Sequence, residues 1–487
     1  MAARQMEVYA GFLTQTDHHF GRVLDFIESL GELDNTLVIA ISDNGASAEG
    51  GPDGTFNEAL FFNLVPERLE DNLERYELWG GIETFPHYSW GWTWAGNAPF
   101  RRWKRETYRG GVSEPCVISW PAGIGDQGGV RTQYAHAIDL AATILGCAGI
   151  DPPETVDGVK QEPLEGTSLR PTFDDPDAPE VHTVQYFEMN GHRSIYHSGW
   201  RAVCPFEAPS LAEARERGRP FRFTRITRAL LDELDTEWEL YDLRSDPSER
   251  VNLADSDPER LKEMIELWYS EAARYKVLPV ASFADRVARR PQVGSHRKQL
   301  LFLPGAAPLP FTIAPRLTGR PHAITAEVTI PQDGPVEGIL LAQGNRRVGF
   351  AFYLLDGHLH HVHNYVGLEW FTVSSPDRVP AGDHTLRFEF EPTGPPADLL
   401  AGKGVPARSK LYMDGALVAA LDLPYSVAVL LGFYGITCGY DTAGAVDPAR
   451  WNGPFRCTAG IRQAVLDISG DLTPDDAASV AALLAQQ

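Results

Sequence analysis

Cysteine is scarce in this chain: there are five in 487 residues, an odd number with no C-x-x-C spacing, which supplies neither a disulfide framework nor a zinc signature. Long apolar runs are missing as well. Nothing approaches the roughly 18 consecutive apolar residues of a membrane-spanning helix. The opening residues Met1-Ala2-Ala3-Arg4-Gln5 carry no apolar signal core, so the chain as written reads as cytoplasmic, with its native compartment left open. Basic charge is also short, with 43 Lys and Arg against 66 Asp and Glu and a formal charge of -23. The basic residues cluster only at 101–105 and 286–290, which argues against nucleic acid and anionic membrane as partners. What remains is a chain with 43% hydrophobic residues, long enough for roughly two to four domains with ordinary cores.

Between residues 5 and 30, apolar side chains at Tyr9, Phe12, Leu13, Phe20, Val23, Leu24, Ile27 and Leu30 recur mostly every three or four positions, which predicts an amphipathic helix ended by Gly31. His18 and His19 fall in mid-helix, where packing or solvent exposure is expected of them. The uninterrupted run Leu37 to Ile41 then reads as a parallel strand covered on both faces of an α/β sheet. Only residues 115–120 offer a further strand nearby, too few for a doubly wound sheet, so the pattern predicts that several preceding strands are missing. Ser42-Asp43-Asn44-Gly45 stands at the carboxyl end of the first strand, where open α/β sheets bind ligands. A carboxylate beside a carboxamide oxygen suits Ca²⁺ or Mg²⁺, although Asp-Asn-Gly is equally a simple turn.

Several segments, in order, resemble type I sulfatases, in particular the arylsulfatases of the alkaline-phosphatase-like superfamily. They are Glu32 to Leu37 with Ser42 to Gly45, Asn97 to Lys104, Gly110-Gly111-Val112, Trp120 to Ile124, Ala137 to Leu140, Glu165 to Leu169, and Trp238 to Leu243 with Asp246-Pro247. The resemblance covers about residues 5–275. It implies Asp43 and Asn44 as ligands of a divalent cation, usually calcium, and Lys104 as a contact to the substrate sulfate. Lys104 also sits among Arg101, Arg102 and Arg105, a setting equally suited to a solvated basic loop. His87, in the aromatic stretch Phe85 to Trp92, is a candidate for the rim of an aryl pocket or for a packed surface loop.

The family's nucleophile is a formylglycine made in C/S-x-P/A-x-R, followed by Thr-Gly. Cys116, Cys147, Cys204, Cys438 and Cys457 all lie outside that pattern. Ser282 to Arg286 fits its short form but lacks the Thr-Gly and falls after the Ser-Asp-Asn-Gly strand, so chance explains it better. The first metal-ligand pair and the catalytic lysine and histidines of the family have no counterpart. A site with two ligands and no nucleophile predicts weak Ca²⁺ binding and an inactive chain on its own. A late-starting reading frame, or a separately encoded N-terminal half, would account for it.

Short strands over 183–188, 193–197, 200–203 and 239–243, then a helix begun by Asp257 with Pro258 at its first position, predict the family's small antiparallel subdomain. There Trp200-Arg201 stands where Trp-Lys is commoner. A linker rich in Arg, Pro and Gly follows. Period-two runs such as Ile324 to Ile330 and Thr385 to Phe390, with Asp356-Gly357 and Asp414-Gly415 turns, then predict a jelly-roll or lectin-like β-sandwich. Of His358, His360, His361 and His363, the first two face one side of a strand and the last two the other, so they cannot all converge on one metal.

The fold class expected is α/β, a partial alkaline-phosphatase-like (sulfatase) core with an α+β subdomain and a C-terminal β-sandwich. Its divisions fall at 1–175, 176–280, a linker at 281–300, and 301–487. The function expected is hydrolysis of a small-molecule sulfate ester in the intact family. The alternatives are a non-catalytic binding or assembly protein working through the sandwich, and a phosphatase or phosphonate hydrolase of the same superfamily.

Overall fold

A computed structural model describes residues 1–63, 65–206, 226–281, 298–429, 431–432, 434–441 and 444–468. The Ser282–Arg286 match and most of the expected linker lie outside these residues. Helix α1 (Ala2–Ser29) follows the apolar spacing, and Gly31 turns the chain out of it at φ 74°. Strand β1 (Val38–Ile41) comes next.

The expected parallel pairing is not found. β1 pairs antiparallel with β2 (Cys116–Ser119) in a two-stranded sheet, Val38 opposite Ser119 and Ile41 opposite Cys116. A continuous apolar run fits any strand meant to be covered on both faces, and nothing in it sets the direction of its neighbour. Nor is β1 covered throughout: Ala40 and Ile41 are exposed, and so are Phe12, Phe20, Val23 and Phe26 of α1, Leu30 just past it, and Val117 of β2.

Between the two strands lie α2 (Glu58–Phe62), α3 (Leu69–Glu74), α4 (Trp90–Asn97) and α5 (Arg109–Val112), and after them α6 (Ala137–Ala148) and the small hairpin of β3 (Thr155–Val156) and β4 (Val159–Lys160). Four antiparallel strands follow in sequential order: β5 (Val184–Met189), β6 (His192–His197), β7 (Trp200–Cys204) and β8 (Glu239–Asp242). A helix over Pro258–Arg274 packs on them through Met264, Trp268 and Ala272. It starts as its sequence dictates, with the Asp257 carboxylate accepting the Arg260 N–H at 3.2 Å.

The C-terminal region consists of two large antiparallel sheets. One has six strands in the order β17 (Ala416–Leu423), β16 (Ala407–Met413), β15 (Gly382–Pro392), β10 (His322–Ile330), β19 (Gly460–Asp467) and β9 (Gln299–Phe302). The other has five: β14 (Glu369–Arg378), β13 (His358–Tyr365), β12 (Val348–Leu355), β11 (Gly338–Asn345) and β18 (Ile436–Cys438). Ile324, Phe388 and Leu466 from the first share a core with Leu340, Phe352 and Leu359 from the second. His361 and His363 point into it, His361 stacked on Phe388 with ring centres 3.5 Å apart, while His360 stacks on Tyr353 on the opposite face.

Phe56, Ala59, Leu60 and Trp79, from the segment after β1, complete that same core. Asn57 ties the two regions: its Oδ1 caps α2 by accepting the Ala59 N–H at 3.1 Å, and its Nδ2 donates to the Val366 carbonyl at 2.9 Å. Arg347 reaches back, donating to the Thr84 carbonyl at 3.1 Å and covering the Phe85 ring at 4.4 Å.

Candidate active site

Two glycine-dependent contacts assemble the site. Gly45 donates its N–H to the Gly111 carbonyl at 3.3 Å, and a Cβ on Gly45 would fall 1.7 Å from the Gly110 carbonyl oxygen. A Cβ on Gly110 would in turn meet the Arg102 carbonyl at 2.1 Å, so only glycines let the turn after β1 seat against α5. Asn97 at the end of α4 stitches the loops together. Its Oδ1 accepts the Ala46 N–H and its Nδ2 donates to the Arg102 carbonyl, each at 2.9 Å, while the Lys104 N–H donates to the Ala46 carbonyl at 3.1 Å. Trp103, wholly buried, anchors the basic loop beneath, stacked on Trp90 at 5.8 Å and edge-on to Trp94 at 5.2 Å. Asp43, Asn44 and Lys104 thus stand on loops bonded to one another.

Asp43 is exposed and Asn44 half-buried. Burial, then the nearby Asp43 charge, raises the Glu114 carboxyl above its ordinary range, so a second carboxylate lies close by. These oxygens suit a hard cation in kind but fall short in number. Among the described residues, no three His, Cys, Asp or Glu side chains gather in a way that could hold a metal ion.

Lys104 is not a free cation. Its Nζ lies 3.1 Å from Glu49 Oε2, and Arg105 Nη2 lies 2.6 Å from Glu49 Oε1. The Ser47 hydroxyl donates to Glu49 Oε2 at 2.5 Å. Burial alone would push the Glu49 carboxyl up, but Arg105, the Ser47 hydroxyl and Lys104 outweigh it and hold it down at about 2. His87 is half-buried beside this group, its Nδ1 3.1 Å from the Tyr88 carbonyl. Burial lowers its pKa against the pull of that carbonyl and of Glu49, which keeps the imidazole neutral near pH 7. His18 and His19 lie on the exposed surface of α1, away from all of these.

The four-stranded sheet grips the other side of the basic loop. Arg101 Nη1 donates to the Tyr241 hydroxyl at 2.7 Å and to the Glu249 carbonyl at 2.9 Å, and the Arg109 N–H donates to Glu249 Oε2 at 2.9 Å. Arg201 Nε lies 2.9 Å from Glu249 Oε1, both side chains essentially buried, so the arginine of the Trp200-Arg201 step is a buried ion-pair partner of the loop's anchor. Glu49 and Glu249 escape a reading of the sequence. Glu49 lies 55 positions from Lys104 and Glu249 lies 140 from Arg109, and no spacing rule joins them.

Residues 2–150 match the family model described as Sulfatase. This part of the chain is similar to sulfatases. An uncharacterized sulfatase of Schizosaccharomyces pombe is 32% identical over 276 residues, which is 55% of this chain and 43% of that protein. The Klebsiella aerogenes arylsulfatase is 28% identical over 168 residues, 34% of each chain. A Bacteroides thetaiotaomicron structure, titled for the metabolism of multiple glycosaminoglycans, shares 22% identity over 53% of this chain and 43% of that one, with a TM-score of 0.33. The chain therefore spans well under half the length of these curated relatives.

Proposed function

We propose that this chain forms the Lys104 side of a sulfate-ester hydrolase site, with Asp43 and Asn44 as two of the ligands of a divalent cation, calcium by preference. The observation that carries the reading is the seating of the Asp43-Asn44-Gly45 turn on Gly110 and Gly111, which fixes it to the loop bearing Lys104. A compact ammonium next to a cation site suits the charge that spreads over a sulfuryl group as its ester bond breaks. The nucleophile and the remaining ligands must come from another polypeptide segment. The uncovered apolar side chains of α1, β1 and β2 support such a partner, an N-terminal sulfatase half that would pair with the short sheet.

The test is turnover of p-nitrophenyl sulfate with calcium, by the chain alone and by the chain produced with an N-terminal sulfatase half bearing the C/S-x-P/A-x-R motif. Activity only in the combined form, abolished by Lys104→Ala, is the expected result. Activity of the chain alone would overturn the account of the nucleophile, and silence in both would remove the hydrolase reading.

A further inference from the structure

Glu49 has no counterpart among the roles just proposed, yet it is the most strongly held carboxylate near Lys104. Its side chain is only 12% exposed, while Lys104 keeps 37% of its own surface open and Arg105 20%. Both flanking arginines bend into the left-handed region to make this arrangement, Arg102 at φ 61° and Arg105 at φ 79°. An L-residue adopts that conformation only when its surroundings over-determine it, and such residues gather at functional sites. The strain at Arg105 brings a second cation onto the carboxylate that already holds Lys104.

The charge count follows from the neighbours. Lys104 and Arg105 contribute two positive charges and Glu49 one negative, while His87 is neutral. Glu58, also close by, has its carboxyl raised by burial and then by Glu49. Glu49, Lys104 and Arg105 by themselves therefore sum to one positive charge on a buried base, beside the further acid Glu58. A sulfate monoester carries one negative charge and a phosphate monoester carries two near neutral pH.

We infer that Glu49 sets the charge selectivity of this anion subsite, lowering its pull on doubly charged esters so that it takes a singly charged one. This deepens the sulfate-ester reading above and rests on it. Glu49 acts through Lys104 and Arg105 and is a positioning and selectivity residue, not one that touches the reacting atoms. Without it the two cations would stand uncompensated and the second charge of a phosphate ester would be rewarded in full.

The experiment measures binding of p-nitrophenyl sulfate and p-nitrophenyl phosphate to the full chain by calorimetry at about pH 8, where the phosphate ester is doubly charged. Glu49→Gln keeps the shape and one acceptor oxygen and removes the charge. The ratio of the two affinities should move toward the phosphate ester on the order of tenfold. Arg105→Gln changes the site charge the other way and should move the ratio away from the phosphate ester, which keeps the inference testable should Glu49→Gln fail to fold. Lys104→Ala separates the two levels of argument. If it leaves sulfate-ester binding unchanged, the sulfate-ester reading of this site falls and the inference with it; if neither ester binds the wild-type chain, the Lys104–Arg105 loop is not an anion subsite on its own and the inference falls alone. If it weakens binding while Glu49→Gln leaves the ratio unmoved, or weakens both esters equally, Glu49 is a loop pin only and the selectivity role is overturned.

Discussion

Phe352 and Phe388 of the two large sheets are fully buried, whereas in α1 Phe12 is 68% and Phe26 63% exposed, and Val117 of β2 is 63% exposed. These side chains are alike in chemistry and differ in what stands opposite them. In the C-terminal region each sheet faces the other, and Phe56, Leu60 and Trp79 close the remaining gap. Around α1 and β1 only part of the apolar surface is covered among the described residues: Val8 packs on the large core and Tyr9 on Tyr88, while Phe12 and Phe26 face outward. Hydrophobic stabilisation comes from area removed from water, so the buried side chains of the first region contribute to stability and the exposed ones of the second contribute little. A direct way to break the comparison is to truncate one phenylalanine in each. Phe352→Ala should cost about 3–5 kcal/mol in urea unfolding, and Phe12→Ala within about 0.5 kcal/mol. An equal cost at the two positions would mean that the α1 face is covered in solution.

The buried ion pair between Arg201 and Glu249 sharpens the contrast, because it ties the four-stranded sheet to the Gly110-Gly111 loop. Glu249→Ala leaves a buried guanidinium uncompensated and the Arg109 N–H without its acceptor. The expected loss is about 3 kcal/mol, read by thermal unfolding. A negligible loss would show that water reaches the pair and that this junction is as open as α1.

Much of the two-sheet region was legible because period two states which residues face inward, and Asp-Gly steps mark the turns. The β5 to β8 strands and the Asp257-Pro258 helix start were legible for similarly local reasons. Asp43, Asn44 and Lys104 were singled out through an ordered set of motifs. Long-range pairing was hidden. The antiparallel partner of β1 lies some 75 residues away, and the contribution of Phe56, Leu60 and Trp79 to a C-terminal core is set by tertiary packing that no local pattern encodes. Glu49 was hidden for the same reason, since its meaning comes from two cations on another loop.

The core of the two-sheet region carries a weakness that the exposed face of α1 lacks. His322, His361 and His363 are buried in it, and burial depresses all three, His322 to about 4 and His363 to about 3. The Arg320 carbonyl, 2.8 Å from His322 Nδ1, pulls His322 back up and the Arg320 charge pushes it down, His322 lowers His361 and His363, and His363 lowers His361. The unfolded chain takes up protons near the ordinary value of about 6.5 while the folded chain refuses them. Stability contributed by the neutral histidines is therefore whole above about pH 6.5 and falls as pH drops toward 3. By pH 5 the loss is about 2 kcal/mol per histidine. His363→Gln, whose amide oxygen can still accept the Val427 N–H that Nε2 now takes at 3.0 Å, should reduce the pH 7 to pH 5 loss by that amount. An unchanged loss would place the acid-sensitive groups elsewhere.

Asn57 is the smallest and most local probe of the join between the two regions, because one side chain does two separable things. As a cap its Oδ1 serves the Ala59 N–H; as a strut its Nδ2 serves the Val366 carbonyl. Asn57→Ala removes both and should cost about 1–2 kcal/mol, a lost cap together with a buried carbonyl left without its donor. Asn57→Asp keeps an oxygen for the cap and sets a carboxylate against the carbonyl, so it isolates the strut. If the aspartate variant is as stable as wild type, the join does not depend on this strut, and apolar packing with the Arg347–Thr84 bond carries it. If it matches or exceeds the alanine loss, the strut is what registers the Lys104 side of the site to the C-terminal sheets.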